Sequence, residues 1–539
     1  MACECVSHER PGGCRPLCGP SGRARKRKSE DKKGVRVLAL AVAIIYFVII
    51  TVLSIWYSKK NVKNAEDFTK AGQGMGWLMV TFSFVLVPLG SGHTLSLWQQ
   101  AAAGITGGIG ASAVWWAVGA GCIFLPIMML WLGPWVRDTR LGTMPEIIEK
   151  MFGRGLGSVH AAFQTMTWTG IGISETIATG TAIYGLTGGA IPLRPTCVVI
   201  ALVLMLVYCL FGGVLQMAWL NVINSIVLIG GSYLALGMIG VWLAANVGGW
   251  QGILDIYTEA GYANKLMNFE LTNQAVWFEV IIPVVVLHTA AGAVSQCMNT
   301  TFFAAKDNQA CRKGVFLGAG INVMSCVPWV IMALVGMVVP ALVANPALDV
   351  STVVPLLAIE ALPAPIVGVL MISLLAACLS TGGGVLMGNG MVIANDVIKR
   401  PWKPKMGDKP FMKLLRVCIV IQAIILVIGA LNFDVVFPIF IWCFSFGIPV
   451  FVVYLCGQIW KASKAAAWIT VIVTYIVNIY WTFWTPAWTV GTPLNLNMYP
   501  VSICSVVLGV VLTAILPGTP GLRTKKYAAL HPDEAIVHT

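Results

Sequence analysis

One apolar segment is long enough to cross a bilayer yet breaks in its middle, and that conflict constrains the fold more than any other feature. Trp77 to Gly104 reads WLMVTFSFVLVPLGSGHTLSLWQQAAAG, longer than the roughly 20 residues a membrane helix needs. At its centre lies Pro88-Leu89-Gly90-Ser91-Gly92-His93-Thr94. Proline, two glycines, hydroxyls and an imidazole suit hydrocarbon badly, because every backbone amide or carbonyl left unpaired there is costly. Such a break is tolerated where it lines a polar cavity or coordinates something. In membrane carriers, interrupted helices near the midplane hold solute and coupling ion. The plainer alternative is a kinked helix with no ligand.

The remainder of the chain is of the same kind. It is 58% hydrophobic and only 11% charged, against about a quarter charged in soluble domains. Long apolar runs predict about 13 transmembrane helices, near 36–57, 77–104, 111–135, 159–185, 194–212, 218–246, 275–297, 315–344, 364–397, 414–433, 435–459, 465–488 and 499–516. No polar stretch is large enough for a separate soluble domain, so the expected fold class is an all-α polytopic membrane protein. When connecting segments are assigned alternately, 23 Lys and Arg fall on one side and only Arg194 and Lys265 on the other. Cytoplasmic loops carry such an excess. The net charge of +13 therefore reflects topology rather than nucleic-acid binding. The tail 517–539 is expected in the cytoplasm, and the protein in the plasma or inner membrane.

The N-terminal end pulls against that topology. Residues 1–35 read as a disordered basic tail, followed by a leading transmembrane helix at 36–57. Thirteen crossings with a cytoplasmic C-terminus place this tail outside, although residues 1–36 hold ten basic side chains. Either the first span does not cross, or the loop charges outvote the tail, or the tail is an over-extended reading frame. Cys3, Cys5, Cys14 and Cys18 are close together, but their spacing matches no standard zinc site.

Between the spans lie short motifs. Asn64-Ala65-Glu66-Asp67-Phe68 to Gly76-Trp77 precedes the broken helix, and Thr143-Met144-Pro145-Glu146 with Phe152-Gly153 follows the next span. Gly212-Gly213-Val214, Ala304-Ala305-Lys306-Asp307, Ala376-Ala377-Cys378-Leu379-Ser380-Thr381 and Asn395-Asp396-Val397 come later in that order. Together, over about residues 36–516, these resemble the sodium:solute symporter family. The resemblance implies two inverted five-helix repeats with broken first helices, at 77–246 and 275–459, with two trailing transmembrane helices at 465–516. A second interruption is expected at His288-Thr289-Ala290-Ala291-Gly292.

The resemblance also implies a Na+ site, formed by the carbonyls of Val87, Gly90 and Ala377 with the hydroxyls of Ser380 and Thr381. Neutral oxygens suit a hard monovalent cation, and an unwound backbone supplies them without burying a carboxylate. Read alone, the Ser380-Thr381 pair could simply bond back to its own helix. Three departures stand out. Gly382-Gly383-Gly384 replaces further serines, Leu220-Asn221 and Asn224 stand where a Thr-Asp pair and Gln are common, and Phe302 or Phe303 replaces an arginine downstream of the matching Gln296. His93 in the break leaves H+ coupling as an alternative.

For the solute, the candidate side chains are Ser91, His93, Thr94, Trp98 and Gln99 from the first core helix. Trp168, Thr169 and Glu175 come from the third, His288 from the second break, and Phe440 and Trp442 from the tenth core helix. A carboxylate in a span should face a cavity or a partner. With aromatic neighbours, Glu175 suits a quaternary ammonium compound. A small carboxylate or amino-acid-like solute, held by His93 and the half-helix N-terminus, is the other option. The expected activity is secondary active, Na+-coupled symport by alternating access. An H+-coupled symporter or a uniporter of the same fold is the alternative, and a channel or transport-like sensor fits less well. No nucleophile, base or metal pattern points to an enzyme. The expected partners are the solute, Na+ and the bilayer, with neither nucleic acid nor an obligatory protein partner indicated.

Overall fold

The computed structural model describes residues 22–530 except 63–64, 88, 107–108, 188–190, 192–193, 211–212, 268–273, 275, 341, 343–349 and 434–436. The four tail cysteines, Pro88, Gly212 and the side chains of Ser91 and Phe440 lie outside the described residues.

The principal helices in chain order begin with α1 Gly22–Asn61, α2 Trp77–Leu86, α3 Ser91–Ala102, α4 Leu125–Asp138, α5 Met144–Phe152 and α6 Arg154–Leu186. They continue with α7 Arg194–Leu210, α8 Gly213–Asn246, α9 Ile282–Ala293, α10 Gln296–Phe303, α11 Asn308–Gly336 and α12 Val353–Ala361. The last are α13 Ala364–Val392, α14 Asp408–Asn432, α15 Phe437–Ser445, α16 Gly447–Ile459, α17 Lys464–Phe483 and α18 Met498–Ile515. Among the described residues, nine helices are long and apolar enough to cross a membrane, with three shorter apolar helices beside them. The chain is a multi-pass membrane protein.

The helix α6 is not among the nine, although it runs for 33 residues. Its hydropathy is lowered by a polar stripe of Gln164, Thr167, Ser174, Glu175, Thr176 and Thr179, all of them buried. A helix enclosed by other helices tolerates such a stripe because its polar groups can find partners there. At the N-terminus, α1 already begins at Gly22, so residues 22–35 continue a helix where a disordered tail was expected. Lys, Arg and Glu are good helix formers, and extending a helix already nucleated in the span costs little.

Both breaks are present, one of them displaced. The first helix ends at Leu86 and resumes at Ser91, the Thr94 N–H donating to the Gly90 carbonyl at 3.0 Å to start the new turn. The second interruption, expected at His288–Gly292, instead falls at Val294–Ser295, between α9 and α10. Ala290 and Ala291 favour helix, whereas Ser295 is an N-cap whose hydroxyl accepts from the Met298 N–H at 3.1 Å.

The helix α13 runs through the centre. In its most apolar stretch, within Ala364–Trp402, 72% of residues are buried, against 28% for both α1 and α18. It packs on α8, α1, α6 and α7. The glycine run explains that approach: a Cβ on Gly382 would lie 2.2 Å from Met205 Sδ, and one on Gly383 would lie 2.9 Å from Tyr208 Cδ1. At Gly382 and Gly383 the missing side chains let α13 approach α7, whereas a Cβ on Gly384 would meet open space. Beyond the end of α13, Arg400 bridges α5 and the α13 extension, with Nη1 3.0 Å from Glu149 Oε2 and 3.3 Å from Asp396 Oδ1. Asn395 Nδ2 donates to Glu146 Oε1 at 2.9 Å, and Thr143 Oγ1 to Asp396 Oδ1 at 3.0 Å.

Candidate ion and solute site at the broken helix

The unwound segment opens onto a cavity of ≈ 570 Å³. Val87, Gly92, His93 and Ser96 line it from the broken helix, and Trp168, Ile171, Ser174 and Glu175 from α6. His288 and Gly292 of α9, Leu125, Met298, Thr381 of α13 and Phe444 of α15 complete the wall. The aromatic side is compact. His288 meets His93 edge-on at 5.7 Å between ring centroids and Phe444 at 5.6 Å, and Trp168 lies 5.6 Å from Phe444. The Trp168 indole N–H is buried and has no hydrogen-bond partner among the described residues.

Glu175, 2% exposed, sits directly against the break. A Cβ placed on Gly90 would lie 2.1 Å from its Oε1 and 2.3 Å from its Oε2, and one on Gly92 would lie 2.9 Å from Oε1. Any side chain at position 90 would require this carboxyl group to move. The helix α3 starts at the next residue with a glycine N-cap that has no side chain to offer. The Glu175 carboxyl group thus lies beside the N-cap of α3, where a carboxylate gains about 0.3–1 kcal/mol, up to about 2 when partly buried.

On the other side of the break, Thr381 Oγ1 donates to the Leu86 carbonyl at 2.5 Å. Val87 follows Leu86 and borders both this cavity and a second one of ≈ 420 Å³, lined among others by Ser83, Asn221, Cys297, Thr300, Thr301 and Ser380. Ser380 turns into the second cavity and donates to Asn221 Oδ1. A neutral network continues from there. Asn221 Nδ2 donates to Ser83 Oγ at 3.3 Å, Asn224 Nδ2 to the Tyr208 hydroxyl at 3.3 Å, and the Tyr46 hydroxyl to Asn224 Oδ1 at 2.7 Å. Asn221, in the place of the Asp, and Asn224, in the place of the Gln, are thus buried partners in an uncharged network.

Of the residues singled out in the sequence, His93, Glu175, His288, Val87 and Thr381 converge on the first cavity, with Gly90 against its carboxylate. Others point elsewhere. The Thr94 hydroxyl donates back to the Gly90 carbonyl at 2.8 Å, and Trp98 is buried against Trp329 at 5.9 Å. Thr169 joins α6 to α14 and α13, accepting from Gln422 Nε2 at 2.5 Å and Asn389 Nδ2 at 3.4 Å. Trp442 meets Phe446 edge-on at 5.6 Å and Phe483 edge-on at 6.3 Å. Gln99 is half-buried and Ala377 fully buried, and neither borders either of these two cavities. Ile171, Ser96, Met298 and Phe444 were missed. Helical spacing could have found two of them: Ile171 lies four residues before Glu175, and Ser96 three after His93. The same spacing disfavours Thr169, six residues from Glu175.

A profile of the sodium:solute symporter family matches residues 68–473. The chain belongs to the sodium:solute symporter family. Similar proteins include sodium/glucose cotransporter 4 of Danio rerio, 22% identical over 418 residues, covering 71% of this chain and 61% of the relative. The sodium/glucose cotransporter of Vibrio parahaemolyticus is 23% identical over 425 residues, covering 74% and 75%. This chain thus spans less than two thirds of the first of these relatives. A Na+-coupled sialic acid symporter, solved substrate-bound and outward-open, superposes with a TM-score of 0.71 at 16% identity, covering 90% of this chain and 99% of that one. At that identity the likeness speaks for the fold.

Proposed function

We propose that this chain is a secondary active symporter that couples Na+ entry to uptake of a small organic solute held in the ≈ 570 Å³ cavity beside the broken helix. The observation that carries this reading is the contact between Thr381 Oγ1 and the Leu86 carbonyl at the point where the helix unwinds. It brings a hydroxyl of α13 to the end of α2, at one spot bordering the solute cavity. The ion is held by the carbonyls of Val87 and Gly90 and the Thr381 hydroxyl, with Ser380 on its route through the second cavity. The solute lies between the His93–His288 pair, Trp168, Phe444 and Glu175. The architecture is a leading helix, inverted repeats at 77–246 and 275–459, and two trailing helices, about 13 crossings in all. The loop charge asymmetry supports a cytoplasmic C-terminus, and 13 crossings then put the N-terminus outside in spite of its basic residues.

The test is thermal stability of purified full-length protein in sodium and in potassium at matched ionic strength, followed by a panel of small solutes in each. Sodium should stabilise where potassium does not, and a transported solute should add stabilisation only in sodium. Equal stabilisation by the two cations would overturn the ion site.

A further inference from the structure

A half-helix N-terminus bordering a solute cavity is ordinarily the place for an anionic group, and in this chain a side chain of the protein stands there. We infer that Glu175 is a specificity-determining residue: by occupying the N-terminus of α3 with its own carboxylate, it makes the cavity reject anionic solutes and accept neutral or cationic ones. This rests on the reading of the cavity as the solute site. Three observations converge on it. The carboxyl group lies where a Cβ of Gly90 would be, within 2.1–2.3 Å of that position, so no second anion fits between it and the helix end. It is 2% exposed and also forms part of the cavity wall, so its carboxyl group meets whatever enters. Among the described residues, no Lys or Arg borders the cavity to offset a second negative charge. The opposite wall, with the edge-on His288–Phe444 pair, offers π faces rather than a cation.

The experiment uses full-length protein in sodium and a shape-matched set of probes: nicotinate, nicotinamide and the N-methylnicotinamide cation. Binding is read by thermal shift and by tryptophan fluorescence. The wild type should bind the neutral and cationic members at least tenfold more tightly than nicotinate, a difference of about 1.4 kcal/mol. Glu175→Gln should bind nicotinate at least tenfold more tightly than the wild type does. Sodium-dependent stabilisation without any probe is recorded for both proteins. It shows that the variant is folded and tests ion coupling separately, so failure there is distinguishable from failure of selectivity. Nicotinate binding the wild type as tightly as nicotinamide, or no gain of nicotinate in a folded Glu175→Gln protein, would overturn the assignment. If Glu175→Gln does not fold, the wild-type order of the three probes decides.

Discussion

Thr381→Val keeps the shape of the side chain and removes the hydroxyl. That hydroxyl donates to the Leu86 carbonyl at 2.5 Å, and the residue is 2% exposed. Without sodium, the Leu86 carbonyl loses its donor, a cost of about 1–3 kcal/mol for a buried acceptor. With sodium, the variant also lacks one neutral oxygen of the ion site. A polar contact to a charged partner is worth about 1.5–3 kcal/mol. At about 1.4 kcal/mol per tenfold, sodium affinity should fall by about 10- to 150-fold. The assay is a sodium titration of the melting temperature at constant ionic strength, with Ser380→Ala in parallel. Ser380 donates to Asn221 rather than to the broken helix, so its loss should weaken sodium by less than the Thr381 change does. A folded Thr381→Val protein with a sodium midpoint within threefold of the wild type would refute this reasoning. So would a larger effect from Ser380→Ala.

Gly90→Ala places a methyl 2.1 Å from Glu175 Oε1 and should abolish Na+-driven uptake; a variant with wild-type stability and uptake would show that the carboxyl group does not need this contact. Ser295→Ala removes the N-cap of α10 and should cost about 1 kcal/mol, read as a lower melting temperature with the sodium midpoint nearly unchanged. Arg400→Gln leaves the buried Asp396 and its neighbours Glu146 and Glu149 without their cation. Because Arg400 is one-third exposed, the expected loss is about 1–2 kcal/mol, measurable by chemical or thermal denaturation.

The breaks were legible because a membrane penalises exposed backbone so heavily that proline and glycines in mid-span stand out. Composition and loop charge were legible for a similar reason: hydropathy and the basic-loop bias act through single residues summed over long stretches. Positions that depend on rotation about a helix axis were harder to read. Thr169 and Glu175 lie on the same span, yet six residues of helix turn one toward Gln422 and the other toward Gly90. Trp442 and Phe444 show the same effect within α15, where Phe444 reaches His288 and Trp442 packs on Phe483. The second break was misplaced because Gly292 was weighted as a helix breaker. The Ser295 cap, only three residues on, was the stronger signal. The triple glycine after Thr381 read as lost ligands, and only the distances to Met205 and Tyr208 give its packing role.

The geometry of the break also bears on coupling. A ligand shifts a conformational equilibrium only by its differential affinity for the two states. Residues 86–90 are bounded on one side by the Thr381 hydroxyl and on the other by the Glu175 carboxylate. An ion drawing on the carbonyls at 86–90 must hold the segment in the conformation that keeps Gly90 against Glu175. A solute that meets Glu175 and His93 depends on the same conformation from the opposite face. Neither ligand needs to touch the other for each to favour the state the other binds, and linkage makes the effect reciprocal. Weakening sodium through Thr381→Val should therefore weaken a neutral or cationic solute in sodium while leaving its residual affinity in potassium unchanged. Solute affinity falling equally in both salts would mean that Thr381 acts on the solute directly, and the segment would then not be the coupling element.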